Sequence, residues 1–321
     1  MKKINLCLVV WGSYYNLFVD YCLGSILSEN NLGNKDIRNN LTFTISTTND
    51  IKNKLNSNEN FNRLKNIINV KFIKAYIKNS GTFKSQIYNI NLLIKDAIES
   101  KNDGIIIMYP DAIYADNSIT NAIKRAQEYE AVMSYGNIRI LENDIDDYDF
   151  EKGISSRLLS RLVLTTPHPF LSNRTIDNYR HTNVEAIIWN INKETWLIRS
   201  LYRYIVYFDL KHFKNLEEDK FYETVILNNI NLNKDNTYTF NDSDEYLLLD
   251  IADKSKIYQS SDNIDIYNLI ENWILCENVI KRTLDDYYIL HCSDVPDIKN
   301  VVDESQKFVD VFYEKINFKG N

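Results

Sequence analysis

The chain has 321 residues, 44% of them hydrophobic, and its 37 basic and 44 acidic side chains give a net charge of −7. This length and apolar content suffice for one large α/β domain or for one domain with an appended lobe. The acidic balance argues against a protein that mainly coats nucleic acid, but it leaves room for a local basic pocket that holds a phosphate.

The cysteines and the apolar segments predict a cytoplasmic protein. Cys7, Cys22, Cys276 and Cys292 form no C-x-x-C pair, which predicts reduced thiols and neither a zinc site nor a disulfide framework. The start MKKINLCLVVWG resembles a secretory signal but breaks into GSYYN without a small-residue cleavage pattern. We expect no transmembrane segment, because no long uncharged apolar stretch follows. Peripheral association at the inner face of the membrane is a further option.

Strand and helix signals alternate through the first third of the chain. INLCLVVW predicts a buried first strand, residues 14–28 a helix and LTFTIST a second strand. The polar stretch 50–66 predicts another helix, and NVKFIKAYI predicts a third strand.

The next segment predicts a long helix and two further strands. Apolar residues recur at helical spacing through 83–100, and the following GIIIMY suits a strand buried on both faces. A second helix, capped by Asp116 or Asn117, leads into the short apolar strand AVMSY. This order predicts an α/β fold with a doubly wound, mostly parallel sheet, in which strand 4–11 lies beside strand 104–109.

The second half of the sequence is less regular. The acidic run LENDIDDYDFEKG predicts a solvated loop, and the segments YRYIVYFDL and NDSDEYLLLDI are strand-like. Two helical patterns, at 269–280 and 308–316, close the chain. We therefore expect a Rossmann-like half at 1–140 and a less regular α+β lobe with C-terminal helices at 141–321.

Three common motifs are missing from the sequence. The turn after the first strand reads WGSYY and not G-x-G-x-x-G, which disfavours a dinucleotide-binding Rossmann domain. No G-x-x-x-x-G-K-[ST] and no G-x-S-x-G occur, which argues against P-loop NTPases and α/β-hydrolases.

The segment TFKSQIYNINLLIKDAIESKNDGIIIMYPDAIYADNSI resembles the nucleotide-sugar-binding half of family-2 glycosyltransferases with the GT-A fold. In that family a helix leads into an apolar strand that ends in an Asp-x-Asp motif. This chain has Tyr109-Pro110-Asp111 at that place, with Asp116 five residues further on, so the motif is degenerate. The segments VVWGSYYNLFVDYCLGSILSENNL and NDSDEYLLLDI also resemble bacterial glycosyltransferase-like proteins.

The resemblance implies a metal site for the donor diphosphate. The family's Asp-x-Asp carboxylates hold Mg²⁺ or Mn²⁺, which neutralises the leaving nucleotide diphosphate. Transferred to this chain, Asp111 would hold the metal with help from Asp116, His168 or His181. The alternative is a metal-independent site with Arg139 and Arg174 as diphosphate partners. The sequence also fits structural roles for these residues. In that case the two aspartates cap a turn or a helix, the histidines are structural, and the arginines form surface salt bridges.

The resemblance also implies contacts to the nucleotide at the ends of the first two strands. Trp11, Gly12 and Ser13 follow the first strand, and Thr47 and Thr48 end the second, where the base and ribose would lie. Trp11 as a core residue and a threonine as a helix N-cap are equally open. Lys84 would contact a phosphate at the start of its helix; the alternative is that it remains solvated.

Three carboxylates are candidates for the acceptor base, the general base that deprotonates the acceptor hydroxyl. The literal D-x-D at Asp242-Ser243-Asp244, followed by Glu245, suits a cluster that deprotonates an acceptor hydroxyl, or a polar hairpin turn. Asp244, Glu245 and Asp209 are the candidates for the base.

Three functions follow from these patterns. The first is a glycosyltransferase of bacterial surface glycan biosynthesis, which moves a sugar from a nucleotide-sugar donor to a hydroxyl of a saccharide or lipid-linked saccharide. The second is a sugar-nucleotide nucleotidyltransferase, which the missing Gly-rich loop disfavours. The third is a non-catalytic GT-A-like binding or scaffold protein, which the degenerate Asp-x-Asp favours.

Overall fold

The computed structural model describes residues 1–77, 82–135, 138–145, 148–180, 186–200, 203–213, 235–252 and 286–319. The chain divides into two compact units. The first contains residues 1–133, 149–154 and 205–239, and the second contains 134–148, 155–204 and 240–321. The chain leaves the first unit after residue 133 and returns to it twice.

Strands and helices alternate through the first unit. Its helices include Asn49–Ser57, Glu59–Ile67, Thr82–Glu99 and Ser118–Glu128. The helix after the first strand runs in three consecutive pieces, Tyr14–Leu17, Phe18–Cys22 and Leu23–Leu27, of which the middle one is π-helical. Up to residue 135 the strands, in chain order, are β1 Ile4–Val10, β2 Leu41–Thr47, β3 Asn69–Lys74, β4 Gly104–Met108, β5 Ala112–Tyr114 and β6 Ala131–Tyr135.

Seven strands of the described residues form the central sheet. Besides β1 to β4 and β6 it contains β12 (Arg203–Asp209) and β13 (Thr237–Thr239), in the order β13-β6-β12-β4-β1-β2-β3. β1 pairs in parallel with β2 and with β4, and β2 pairs in parallel with β3. β12 is antiparallel to β4. The predicted α/β fold with a mostly parallel sheet, and the adjacency of its first and fourth strands, are confirmed.

Helix packing explains why the central strands β1 and β4 are buried throughout. Every residue of β1 and β4 is buried. Leu93, Ile94 and Ala97 of the Thr82–Glu99 helix join one core cluster with Val9 and Ile105. Each fully buried leucine or isoleucine contributes about 1.5–3 kcal/mol, so this helix fixes the middle of the sheet.

The two predicted side-chain caps of the first unit are not formed. Asn117 occupies the N-cap position of the Ser118–Glu128 helix with φ 67° and makes no capping hydrogen bond through its side chain. Thr48 occupies the same position before Asn49–Ser57, also without a side-chain cap. The left-handed backbone of Asn117, which asparagine tolerates better than most residues, starts the helix instead.

The second unit contains a mostly antiparallel sheet and a long final helix. The strands are β7 Arg139–Leu141, β8 Arg174–Thr175, β9 Asn178–Tyr179, β10 Ala186–Asn192, β11 Thr195–Ser200, β14 Leu248–Ala252 and β15 Tyr288–His291. The order of the strands in the sheet is β15-β11-β10-β8-β9, and β7 pairs in parallel with β14. Phe308 and Phe312 of the helix Lys299–Lys319 pack with Trp189 and Leu197 of the sheet. Two more helices are Ser156–Thr165 and Pro169–Ser172.

The final helix covers the predicted pattern at 308–316, whereas the pattern at 269–280 lies outside the described residues. Part of the predicted acidic loop forms the short 3-10 turns Glu142–Asp144 and Phe150–Lys152. None of the described helices combines the length and the apolar character that crossing a bilayer requires.

Three buried tyrosines predict that the fold weakens in alkali. Burial raises the pKa values of Tyr207, Tyr246 and Tyr288 above the usual tyrosine range. Above about pH 10 the unfolded chain releases these phenolic protons while the folded chain keeps them, so ionisation favours the unfolded state. We expect the free energy of unfolding to fall by up to ~1.4 kcal/mol per pH unit for each tyrosine.

Urea unfolding between about pH 8 and pH 11 measures this slope. Tyr246→Phe should make the fall of the unfolding free energy with pH shallower by the contribution of one tyrosine, up to ~1.4 kcal/mol per pH unit. An unchanged slope in that variant would show that Tyr246 ionises equally in the folded and unfolded chains.

Candidate functional site

Three parallel strands of the first unit end at one edge of the central sheet, which we call the carboxyl edge. Val10 of β1 pairs with Thr47 of β2, and Leu8 of β1 pairs with Met108 of β4. The residues that follow these strands therefore start from the same edge. Ligands of open α/β sheets bind in the crevice at this edge.

The turn after β1 needs a glycine. Gly12 has φ 58°, and a Cβ placed on it would have no atom within 4 Å, so backbone conformation and not space selects glycine here. Gly12 and Ser13 are exposed. Trp11 is half-buried and packs against the core cluster that contains Val9. The indole is thus partly a core side chain and partly open to the edge.

The two threonines at the end of β2 have different environments. Thr47 is only 2% exposed, and its Oγ1 donates to the carbonyl of Val10 at 2.7 Å. Its hydroxyl therefore ties β2 to β1 and is not directed at a ligand. Thr48 is half-buried, and its hydrogen bond is the main cause of the lowered pKa of Asp50.

Asn89 organises this edge and was not singled out from the sequence. Its Oδ1 accepts from Ser46 Oγ at 3.0 Å and from the Tyr76 backbone amide at 2.9 Å. Its Nδ2 donates to the Tyr76 carbonyl at 2.8 Å. The side chain is fully buried, so it joins the end of β2, the segment after β3 and the long helix. The sequence contained one signal for this role, because Asn89 is a polar residue on the apolar face of the predicted helix.

Lys84 and Asp111 complete this edge of the first unit. Lys84 is exposed in the first turn of the Thr82–Glu99 helix. Asp111 is half-buried. Burial, and then the charge of Asp111, raise the pKa values of Tyr14 and Cys22 on the helix that follows Trp11. The Asp111 carboxylate therefore lies near that helix, just beyond β4.

Asp116 supports the chain and does not extend the Asp111 site. Its Oδ1 accepts from Ser28 Oγ at 3.1 Å, and its backbone amide donates to Ile154 at 2.9 Å. Its carboxylate lies against Gly153, where a Cβ would come within 2.4 Å of Oδ1. Among the described residues, the group of three side chains that fits a metal ion does not include Asp111 or Asp116. Binding of a metal ion by Asp111 together with donor phosphates stays a prediction.

Asp209 lies at the opposite edge of the sheet. It pairs with Gly104, the first residue of β4, and is 6% exposed. Its carboxylate accepts from Lys2 Nζ at 3.0 Å and from the Tyr207 hydroxyl. The structure therefore does not bring Asp209 to the carboxyl edge, and a role as the acceptor base at that edge does not fit its position.

His168, Arg139 and Arg174 belong to the second unit. His168 is buried, and its Nδ1 accepts from the Phe170 amide at 3.1 Å and so caps a short helix; its role as a metal ligand stays a prediction. The guanidinium carbons of Arg139 and Arg174 lie 3.8 and 3.6 Å from the centroid of the Phe170 ring. Arg174 is fully buried, whereas Arg139 is half-buried. His181 lies outside the described residues.

The D-x-D at 242–244 forms a cluster with His291 within the second unit. His291 Nε2 lies 2.9 Å from Asp242 Oδ1 and 3.8 Å from Asp244 Oδ2. Asp244 also accepts from Ser156 Oγ at 2.7 Å and from Arg157 Nε at 3.0 Å. The bond to Asp242 raises the pKa of His291. Burial acts to raise the pKa of Asp242, but the His291 bond and the Asp244 amide lower it overall.

No protein-family model and no curated protein matches the sequence. Among solved structures, S. aureus TarS with UDP-GlcNAc is 11% identical, with a TM-score of 0.40 over 98% of this chain and 72% of that chain. A Pyrobaculum calidifontis mannosyltransferase with GDP-Man and Mn²⁺ is 8% identical, with a TM-score of 0.39 over 98% and 72%.

A 4-diphosphocytidyl-2C-methyl-D-erythritol synthase from Anaerococcus prevotii is 11% identical, with a TM-score of 0.32 over 87% of this chain and 95% of that chain. Since all three TM-scores lie below 0.5, we base nothing about the substrate or metal of this chain on these likenesses.

Proposed function

We propose that the protein is a glycosyltransferase that binds a nucleotide-sugar donor at the carboxyl edge of its central sheet. The observation that carries this proposal is the common edge at which β1, β2 and β4 end, with Trp11, Thr48 and Asp111 just beyond them. A doubly wound sheet offers its binding crevice at that edge.

Each residue of the edge suits one part of such a donor. The open side of Trp11 offers a face on which a nucleotide base can stack. The exposed Gly12 and Ser13 let a ribose approach the backbone closely. Lys84, in the first turn of a long helix, combines its charge with the positive end of the helix dipole to attract a diphosphate. Asp111 accepts hydrogen bonds from donor hydroxyl groups.

Four residues of the second unit have proposed roles of their own. Glu245 is the proposed acceptor base ahead of Asp244, which Ser156 and Arg157 hold. Arg139 and Arg174 are the proposed phosphate-binding residues, and Arg139 is the more accessible of the two. A saccharide or lipid-linked saccharide of a bacterial surface glycan is the proposed acceptor. A cytoplasmic location at the inner face of the membrane fits such an acceptor and stays a proposal.

Donor binding is tested with UDP-, GDP-, CDP- and CMP-linked sugars, each with Mn²⁺ and with EDTA. A ligand that binds only the folded state should raise its stability by about 2.7 kcal/mol at one hundred times its dissociation constant. Thermal unfolding and calorimetric titration both measure this effect. We expect sugars linked to one of these nucleotides to raise the stability of the protein, and sugars linked to the other nucleotides to leave it unchanged.

Two lysines of one helix provide the matched variants. Lys84→Ala should weaken donor binding by roughly tenfold, the loss of one charge-assisted hydrogen bond. Lys95→Ala, an equally exposed lysine further along the same helix, should leave it unchanged. Donor binding without sugar transfer would favour a binding protein, and release of pyrophosphate from a nucleoside triphosphate would favour a nucleotidyltransferase. No binding of any nucleotide would refute the proposal.

A further inference from the structure

The cluster of Asp242, Asp244 and His291 is built on a rigid backbone. The loop that carries the aspartates is joined to β15 by hydrogen bonds from Ile289 N to Asn241 O at 2.8 Å and from Ser243 N to Ile289 O at 2.9 Å. His291 is 2% exposed, whereas the side chains of Asp242 and Asp244 are 38% and 37% exposed. The histidine is therefore fixed, and solvent reaches the cluster through the carboxylates.

The hydrogen bonds of His291 leave its Nε2 facing an acceptor. Nδ1 lies 2.6 Å from the carbonyl oxygen of Ser293, which can only accept, so Nδ1 carries the hydrogen. In the neutral ring Nε2 then holds a lone pair, and it points at Asp242 Oδ1 from 2.9 Å. Two acceptors at that distance repel each other unless Nε2 binds a proton or a metal ion. A backbone carbonyl that fixes Nδ1–H in this way is typical of metal-binding histidines.

Charge and spacing also fit a doubly charged ion. Arg157 pairs with Asp244 and Asp294, whereas Asp242 lies against His291. The three carboxylates and the one guanidinium therefore carry two negative charges in sum. The three donor atoms of Asp242, Asp244 and His291 all lie within 4.8 Å of one another. Ligands bonded at about 2.0–2.2 Å to one ion lie roughly 3–3.5 Å apart, so small rotations of the two exposed carboxylates would close the site.

We propose that Asp242, Asp244 and His291 bind one divalent transition-metal ion of the Mn²⁺ or Zn²⁺ class. An imidazole nitrogen with two carboxylate oxygens suits these ions better than Mg²⁺ or Ca²⁺, which prefer oxygen ligands alone. Three protein ligands leave coordination positions open to solvent, as in metal sites that take a water or substrate oxygen. This inference concerns the second unit alone and does not depend on the proposed donor site.

The ion pair of Arg157 gives the proposal a distinctive consequence. Arg157 Nε holds Asp244 Oδ2 at 3.0 Å and so competes with a metal for the same oxygen. Arg157→Gln should therefore tighten metal binding severalfold, while Asp242→Asn and Asp244→Asn should each weaken it by at least about tenfold. Asp303→Asn, an exposed carboxylate on the final helix, is the control that should change nothing.

The experiment titrates chelator-treated, full-length protein with Mn²⁺, Zn²⁺ and Mg²⁺ in the absence of nucleotide. Electron paramagnetic resonance of free Mn²⁺ and calorimetry with Zn²⁺ give the stoichiometry and affinity. We expect one site per chain, with Mg²⁺ bound far more weakly. Circular dichroism of each variant confirms that it is folded, and the exposed positions of both aspartates favour this. Equal metal affinity in the wild type, Asp242→Asn and Asp244→Asn would overturn the proposal, as would the absence of a stoichiometric site. The cluster would then be a protonated histidine paired with Asp242.

Discussion

Asp111→Asn should weaken binding of the nucleotide-sugar donor by about 10- to 150-fold, the equivalent of ~1.5–3 kcal/mol for hydrogen bonds to a charged group. Asp111 is half-buried and follows β4 at the carboxyl edge, so water replaces its lost contacts poorly. Asparagine keeps the size of the side chain and removes its charge. Calorimetric titration of the protective donor, followed by turnover measurements, tests the variant.

The dependence on Mn²⁺ decides how Asp111 acts. Because the group of three described side chains that fits a metal ion does not include Asp111, we expect the loss to be similar with Mn²⁺ and with EDTA. A loss seen only with Mn²⁺ would mean that Asp111 and the donor phosphates hold the ion together. Asp36→Asn, an exposed carboxylate near the opposite edge, is the control. Unchanged affinity and turnover in Asp111→Asn would make Asp111 a turn residue only.

The fold of the first unit was predictable because its strands and helices have distinct hydrophobic periods. β4 is a continuous apolar run, β1 is apolar except for Asn5, and the helix between β3 and β4 has apolar residues at helical spacing, so their order predicts a parallel sheet. The return of β12 into this sheet was not predictable. Its pairing with β4 joins residues about a hundred positions apart, and no local pattern in YRYIVYFDL identifies its partner.

The candidate sites show a similar limit. The end of a strand is visible in the sequence, so Trp11, Thr48 and Asp111 could be assigned to one edge. Whether a polar side chain at such an end faces a ligand or the chain depends on distant partners. Thr47 donates a hydrogen bond to Val10, and Asp209 accepts one from Lys2. Asp116 accepts a hydrogen bond from Ser28 and lies against Gly153. His291 joins the D-x-D from 47 residues away, so its role also needed the tertiary structure.

Gly104→Ala should destabilise the protein by about 1–3 kcal/mol, through overpacking of a closed site. A Cβ at Gly104 would lie 2.4 Å from Cε2 and from the hydroxyl oxygen of Tyr207, and 2.5 Å from its Cζ. Tyr207 is fully buried, and its hydroxyl is held by Asp209, so the ring cannot move aside freely. The glycine at the start of β4 therefore makes room for the aromatic side chain of the neighbouring antiparallel strand.

A double-mutant cycle separates this clash from a loss of strand propensity. Tyr207→Ala removes the ring and leaves a cavity, so it is itself destabilising by about 3–5 kcal/mol. If the clash is the cause, the double variant Gly104→Ala, Tyr207→Ala should be at least about 1 kcal/mol more stable than the two single effects predict together.

Gly12→Ala is the comparison among the glycines. Its added Cβ has open space, so only the φ of 58° opposes it, and we expect a loss of about 1 kcal/mol. Urea unfolding followed by circular dichroism measures all four variants. Additive effects at Gly104 and Tyr207, or a loss at Gly104 no larger than that at Gly12, would show that the sheet relaxes around the new methyl group and that the close contact with Tyr207 does not select glycine.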